Sequence, residues 1–206
     1  MANCIFKESF DNQSGSWSSA DCEVPPALGS MTLYTTNLNE DIPAVYNTHY
    51  TWGTGRGGSG QCLQGAANKA VYIYWPIAAN WPTDEMYISF WLKYPSYSGE
   101  SWMNLKSLYV KQTDNVAHLV AAVGAAPGPP WYNITTGGGA IWSDCTNYFG
   151  SSNHLDGNWH HYEYWVKMAS AGQLKIWYDG VLDTDISQSN SGWNQYIFNI
   201  FYRDIE

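Results

Sequence analysis

Three consecutive runs near the end of the chain constrain its fold more than any other part: Trp159-His-His-Tyr-Glu-Tyr-Trp-Val-Lys167, Gln173-Leu-Lys-Ile-Trp-Tyr-Asp179, and, after Gly180, a third run to residue 187. Large apolar and polar side chains alternate in them, and alternation with a period of two is the signature of strands with one face buried and one face wet. Asp179-Gly180 supplies the positive φ angles that a two-residue hairpin turn demands. Within this frame the neighbours His160 and His161 point to opposite faces of a strand and cannot chelate a metal together. One is expected to be packed or hydrogen-bonded inside and the other to lie on the surface.

A second stretch repeats the pattern. Phe90-Trp91-Leu92-Lys93-Tyr94 reads almost like Tyr164-Trp165-Val166-Lys167-Met168, each with a Trp and a Lys two positions apart. In this register Tyr87, Ser89, Trp91 and Lys93 share one face, and His161, Glu163, Trp165 and Lys167 share another. An indole face suits the apolar C–H side of a pyranose ring, with polar groups at the rim holding its hydroxyls. Tyr87, Trp91, Lys93, His161, Glu163, Trp165 and Lys167 are therefore the candidate ligand-binding residues. The competing role for the same residues is cross-strand pairing, at about 0.2–1 kcal/mol per pair.

Composition agrees with strands. The chain has 206 residues, 17% of them aromatic and only 13% charged, with 12 Trp, 16 Tyr and 19 Gly, a mixture that favours pleated strands and tight turns over helices. Its length suits a single domain spanning 1–206. Strands are expected at about 3–10, 69–76, 85–94, 104–112, 116–123, 159–168, 173–179, 181–187 and 195–205, with the first and last adjacent. The region 12–60, with Pro25-Pro26 and the glycines from Gly53 to Gly60, reads as irregular, as does the stretch holding Pro127-Gly-Pro-Pro130 and Gly137-Gly-Gly139. The expected fold class is all-β, a two-sheet antiparallel sandwich.

Charge removes whole classes of partner. With 18 acidic and 9 basic residues the net charge is -9, and the chain lacks the Lys/Arg run that holds nucleic acid. A strongly anionic polymer is disfavoured unless the few cations converge in one cleft; neutral or mildly anionic ligands fit better. No apolar run approaches the roughly 18 residues of a membrane span. Met1 leads directly into strand-like sequence without the basic start and apolar core of a secretory signal, so the chain is either made without export or has had a leader removed. Cys4, Cys22, Cys62 and Cys145 lack metal-type spacing and allow three pairings or none. The segment between Cys4 and Cys22, rich in Ser, Asn and Gly, makes that pair the expected one if a disulfide forms.

Family resemblance enters through particular residues. Asp156-Gly-Asn-Trp159-His160-His161 followed by Leu174-Lys-Ile-Trp-Tyr-Asp179-Gly180 resembles the D-G-x-W-H-H … L-x-x-W-x-D-G hairpin of concanavalin A-like jelly rolls, including laminin-G-like domains and polysaccharide lyases. Glu85-Met-Tyr-Ile-Ser-Phe-Trp-Leu-Lys93 is similar to the Y-x-S-x-W-x-K strand of the lyase-like branch. Glu8-Ser-Phe-Asp11 and Tyr202-Arg-Asp204 resemble the paired terminal strands of jelly-roll glycan modules. About half the chain is touched.

The resemblance implies a jelly roll that binds a glycan or polysaccharide in a concave aromatic face, in an extracellular, cell-surface or virion setting. It also implies a structural calcium ion between Glu8, Asp11 and Asp204, since calcium requires hard oxygen ligands. Hydrolysis by the fold's usual route is disfavoured, because no E-x-D-x-E strand is present. A β-eliminating polysaccharide lyase is the first alternative, with Lys106, Tyr109, Lys111 and His118 as candidate catalytic residues, although only Tyr109-Val-Lys111-Gln112 matches part of an alginate lyase motif. The second alternative is a virion, fibre or adhesion protein that self-assembles through its Tyr- and Trp-rich surface.

Overall fold

The computed structural model describes residues 4, 6–26, 32–37, 50–65, 69–75, 85–94, 96, 105–111, 118–123, 130–135, 147–150, 155–167, 172–188 and 197–203. All named strand pairs among them are antiparallel, and the only helical pieces are 3-10 turns at Ser19–Asp21 and Arg56–Gly58. The expected all-β, antiparallel class is the observed one. The chain divides into two compact units, Met1–Ile77 with Phe198–Glu206, and Ala78–Ile197.

In the first unit β4 (Lys69–Trp75) pairs with β1 (Thr32–Asn37) on one side and β13 (Ile197–Arg203) on the other. β2 (Tyr50–Thr54) and β3 (Gln61–Gly65) form a separate pair. β1 and β2 fall in the region read as irregular and β3 just beyond it, where no strand is expected, because their Thr, Gly and Gln residues blur the alternation. The strand expected at 3–10 is absent from the described residues there. Lys7 makes a single bridge with Val24, and the chain then turns: Phe10 takes a φ of 66°, its N–H donates to Glu8, and its carbonyl accepts from Gln13 N–H at 3.1 Å. The last strand pairs with β4 rather than with this segment.

Nor does a Cys4–Cys22 disulfide close the loop; both are free thiols. Gln13 does the closing instead. Its buried amide donates to Glu8 and to the Ser18 carbonyl and accepts from Ser18 N–H at 2.9 Å, so three polar contacts hold the segment that a disulfide was expected to tie. Burial, then the nearby Glu8, pushes the Cys22 thiol well above its ordinary range.

The second unit holds two sheets. One has the order β12-β11-β10-β5, made of β12 (Val181–Gln188), β11 (Gly172–Tyr178), β10 (Trp159–Lys167) and β5 (Glu85–Lys93). In the other, β6 (Leu105–Lys111), β7 (His118–Val123), β8 (Trp131–Thr135) and β9 (Asn147–Tyr148) follow in chain order. Met86, Ile88, Tyr162, Tyr164, Val166, Leu174, Ile176 and Tyr178 bury one face of the first sheet. Phe149, just past β9, sets its ring edge-on against Tyr162, Tyr164 and Tyr178, so the β9 end of the second sheet packs on that inner face. Strands expected at 69–76, 85–94, 104–112, 116–123, 159–168, 173–179, 181–187 and 195–205 are present within two residues of those bounds. β8 and β9 fall in the stretch read as irregular.

The hairpin between β11 and β12 turns as its sequence demands. Asp179 has φ 49° and Gly180 φ 78°, the pair of positive angles of a type I′ turn. Asp179 serves twice, because its carboxylate also accepts from His161 N–H and contacts His160 Nδ1, both at 2.8 Å.

Candidate functional site

The outer face of the β5/β10/β11/β12 sheet collects the candidate ligand-binding residues. Register sets Trp91 opposite His161, Ser89 opposite Glu163, Tyr87 opposite Trp165, Glu85 opposite Lys167 and Lys93 opposite Trp159. On the other side of β10, Glu163 faces Trp177 and Trp165 faces Lys175. Tyr87, Trp91, Lys93, His161, Glu163, Trp165 and Lys167 thus share one face, as their spacing requires. Tyr87 and Trp91 are 58% and 40% exposed, among the few large apolar side chains so open to solvent among the described residues. Exposed aromatic rings beside hydrogen-bonding groups are what a pyranose-binding floor needs.

The polar groups on this face are linked. Ser89 Oγ lies 2.8 Å from His161 Nε2, His161 Nδ1 lies 3.0 Å from Glu163 Oε1, and the Tyr87 hydroxyl donates to Glu163 Oε2. The Trp91 indole stacks on the His161 ring, with centroids 4.6 Å apart and planes 10° from parallel, which fixes the imidazole plane. Burial of its phenol end, together with the bond to Glu163 and the charge of that carboxylate, pushes the Tyr87 hydroxyl up to about 12. It is therefore a proton donor at neutral pH and not a base.

Two of the cations on this face have acidic partners. Lys167 lies 3.6 Å from Glu85 and Lys175 3.1 Å from Asp185, and the Lys175 ammonium sits 5.8 Å above the Trp165 ring. Trp177 meets Tyr87 edge-on at 6.5 Å. Neither Trp177 nor Lys175 is among the candidate ligand-binding residues named from the sequence, yet the alternation Gln173, Lys175, Trp177 carries the signal: once β11 pairs with β10, its odd residues extend the same face.

His160 lies on the other face. Its ring is bracketed by Asp179 at 2.8 Å and Asp156 at 3.2 Å and stacks on Tyr178 at 5.2 Å. One histidine of the pair is packed and the other faces out, as expected. Burial opposes ionisation of Asp156, but hydrogen bonds from Asn158 and His160 outweigh it and lower its pKa below 3.8.

The other candidates are placed as follows. Lys111 pairs with His118, Tyr109 with Val120 and Lys106 with Ala122, so these four lie on the adjacent strands β6 and β7, in a different sheet from the aromatic face. Glu8 accepts from Phe10 N–H and Gln13 Nε2, and Asp11 Oδ1 accepts from Gln61 N–H at 2.7 Å; Asp204 lies outside the described residues. Among the described residues no three His, Cys, Asp or Glu side chains are grouped so as to hold a metal ion.

No family profile and no curated protein sequence matches the chain. Solved structures with a similar arrangement of strands include a variant of the alginate lyase Aly36B in complex with an alginate trisaccharide (12% identity, 97% of this chain and 86% of that one, TM-score 0.47). The Crh5 transglycosylase in complex with NAG is similar over 85% of this chain and 70% of its own, at 10% identity and TM-score 0.46. For β-agarase B from Zobellia galactanivorans the figures are 84% and 61%, at 9% identity and TM-score 0.42, so this chain spans less than two thirds of that enzyme's length. Likeness at this level names neither a substrate nor a reaction for this chain.

Proposed function

We propose that the outer face of the β5/β10/β11/β12 sheet binds a neutral or mildly anionic polysaccharide, as a lectin-like module does. The observation that carries this reading is the exposure of Tyr87 and Trp91 on a face whose remaining members are hydrogen-bonding groups held in fixed orientation. A structural surface has no need of a wet aromatic floor with a linked polar row through its middle. Sugar rings would stack on Trp91 and Trp165, and Tyr87, His161, Glu163 and the lysines Lys93 and Lys167 would meet their hydroxyls or a carboxylate. Few cations lie on the face and Lys167 and Lys175 carry acidic partners, which favours weakly charged glycans over highly charged ones.

The test is a polysaccharide panel with the intact protein, W91A and W165A. Each substitution is expected to weaken binding by about 1–3 kcal/mol, the worth of a stacked aromatic side chain. Unchanged affinity in both folded variants removes the proposal.

A further inference from the structure

We propose that Ser89, His161 and Glu163 act as nucleophile, general base and orienting carboxylate, and that they cleave acyl esters carried by the polysaccharide bound on the same face. The choice of substrate rests on the glycan-binding reading; the chemistry rests on geometry of its own. Ser89 Oγ and His161 Nε2 are 2.8 Å apart, and His161 Nδ1 and Glu163 Oε1 are 3.0 Å apart. With Glu163 accepting from Nδ1–H, the neutral ring presents the Nε2 lone pair to the Ser89 hydroxyl, the arrangement a nucleophilic serine requires. Tyr87 holds the second Glu163 oxygen and Trp91 holds the ring plane, so the carboxylate and the imidazole are fixed in place.

The backbone contributes as well. His161 N–H and C=O both engage Asp179, on the β11 side of β10. Directions alternate along a strand, so Glu163 also turns its main chain towards β11, and Glu163–Ser89 is a non-hydrogen-bonded pair of the β10–β5 ladder. Ser89 N–H therefore points away from β10, at the outer edge of a sheet in which β5 is the last strand. That N–H is the main-chain donor the strand offers to an oxyanion, the Tyr87 O–H being engaged by Glu163.

In the first step Ser89 Oγ bonds to the ester carbonyl carbon as its proton passes to His161 Nε2. The C–O bond to the sugar then breaks, and the Nε2 proton goes to the departing sugar oxygen, leaving a free hydroxyl and an acyl-serine. Water attacks the acyl-serine, giving its proton to Nε2, and that proton returns to Ser89 Oγ as the carboxylic acid leaves. One ester and one water become one alcohol and one acid, with no other reactant.

The experiment treats the full chain with a fluorophosphonate probe, maps the adduct by mass spectrometry, and measures acetate release from acetylated xylan and from an aryl acetate, with polysaccharide binding measured alongside. The adduct is expected on Ser89 and absent in S89A, with both labelling and acetate release slowed at least about 100-fold in H161N, the usual worth of a general base. E163Q is expected to slow both and to change the 15N shifts of the His161 ring nitrogens from one tautomer to a mixture, a readout that loss of packing alone does not move. Intact binding with no Ser89 adduct, and acetate release equal to that of S89A, overturns the triad and leaves the binding reading standing. A Ser89 adduct with aryl acetate turnover but no polysaccharide binding supports the triad and overturns the glycan as its substrate.

Discussion

Asp179 performs three separable tasks, and a series of substitutions should resolve them. It is a non-glycine residue at φ 49°, its Oδ1 accepts from His161 N–H, and its Oδ2 contacts His160 Nδ1, both at 2.8 Å. Alanine in the left-handed region costs about 1 kcal/mol. Each lost carboxylate hydrogen bond adds about 0.5–1 kcal/mol, discounted below the range for bonds to charged groups because the Asp179 side chain is 42% exposed and screened by solvent. D179A should therefore lose about 2–3 kcal/mol. D179N keeps the tolerance of positive φ and an acceptor for His161 N–H, loses only the charge beside His160, and should lose about 0.5–1 kcal/mol. D179G relieves the backbone cost but loses both bonds and should fall between them. For a chain of this size each kcal/mol moves Tm by about 2–4 °C, so D179A should melt about 4–12 °C below the parent. Urea unfolding followed by Trp fluorescence and by circular dichroism reads the series. If D179A and D179N are equally mild, within about 0.5 kcal/mol of the parent, the carboxylate has no part in holding the hairpin and the reasoning fails.

Three further outcomes follow from particular residues. G150A should destabilise more than G180A, because both glycines have positive φ but a Cβ at 150 meets the buried Tyr178 ring at 2.8 Å while one at 180 meets nothing within 4 Å; equal losses in urea would show that the Tyr178 contact is soft. Asp156 has a folded pKa below its ordinary 3.8, so the stability it contributes is complete above that value and declines as pH falls through the folded one; an acid melting series should show a shallower decline in D156N, and parallel curves would contradict the assignment. For the structural calcium proposed between Glu8, Asp11 and Asp204, millimolar calcium should raise Tm and a chelator reverse it, and superimposable melts would remove the ion.

What the sequence made legible was whatever alternation alone decides. β5, β10 and β11 are alternating runs whose shared face follows from counting by twos, and β12 joins them through the Asp179-Gly180 turn with one register shift beside Trp177. Once β5 and β10 pair, Trp91 must meet His161, and the only further knowledge required is register. β1, β2 and β3 were missed because Thr, Gly and Gln neither alternate in polarity nor pack as a visible face. The 3–10 segment misleads for the opposite reason: it alternates, but the Glu8 carboxylate captures Phe10 N–H and the Gln13 main-chain N–H captures the Phe10 carbonyl, bending the chain, and such local bonds compete with strand pairing. The Ser89–His161–Glu163 row was only half visible. Its members shared a face by spacing, but whether Nδ1 met Glu163 and Nε2 met Ser89 depends on ring orientation, which Trp91 sets across the ladder.

The most direct measurement of the central claim is a titration of the 15N-labelled protein with the best polysaccharide fragment from the panel, following the indole N–H resonances of Trp91, Trp165 and Trp177. Saturation is predicted to shift all three, and most strongly that of Trp91, which is 40% exposed and stacked on His161, with the His161 ring moving alongside. Saturable binding that leaves these indoles and His161 unshifted would place the glycan elsewhere and contradict the account.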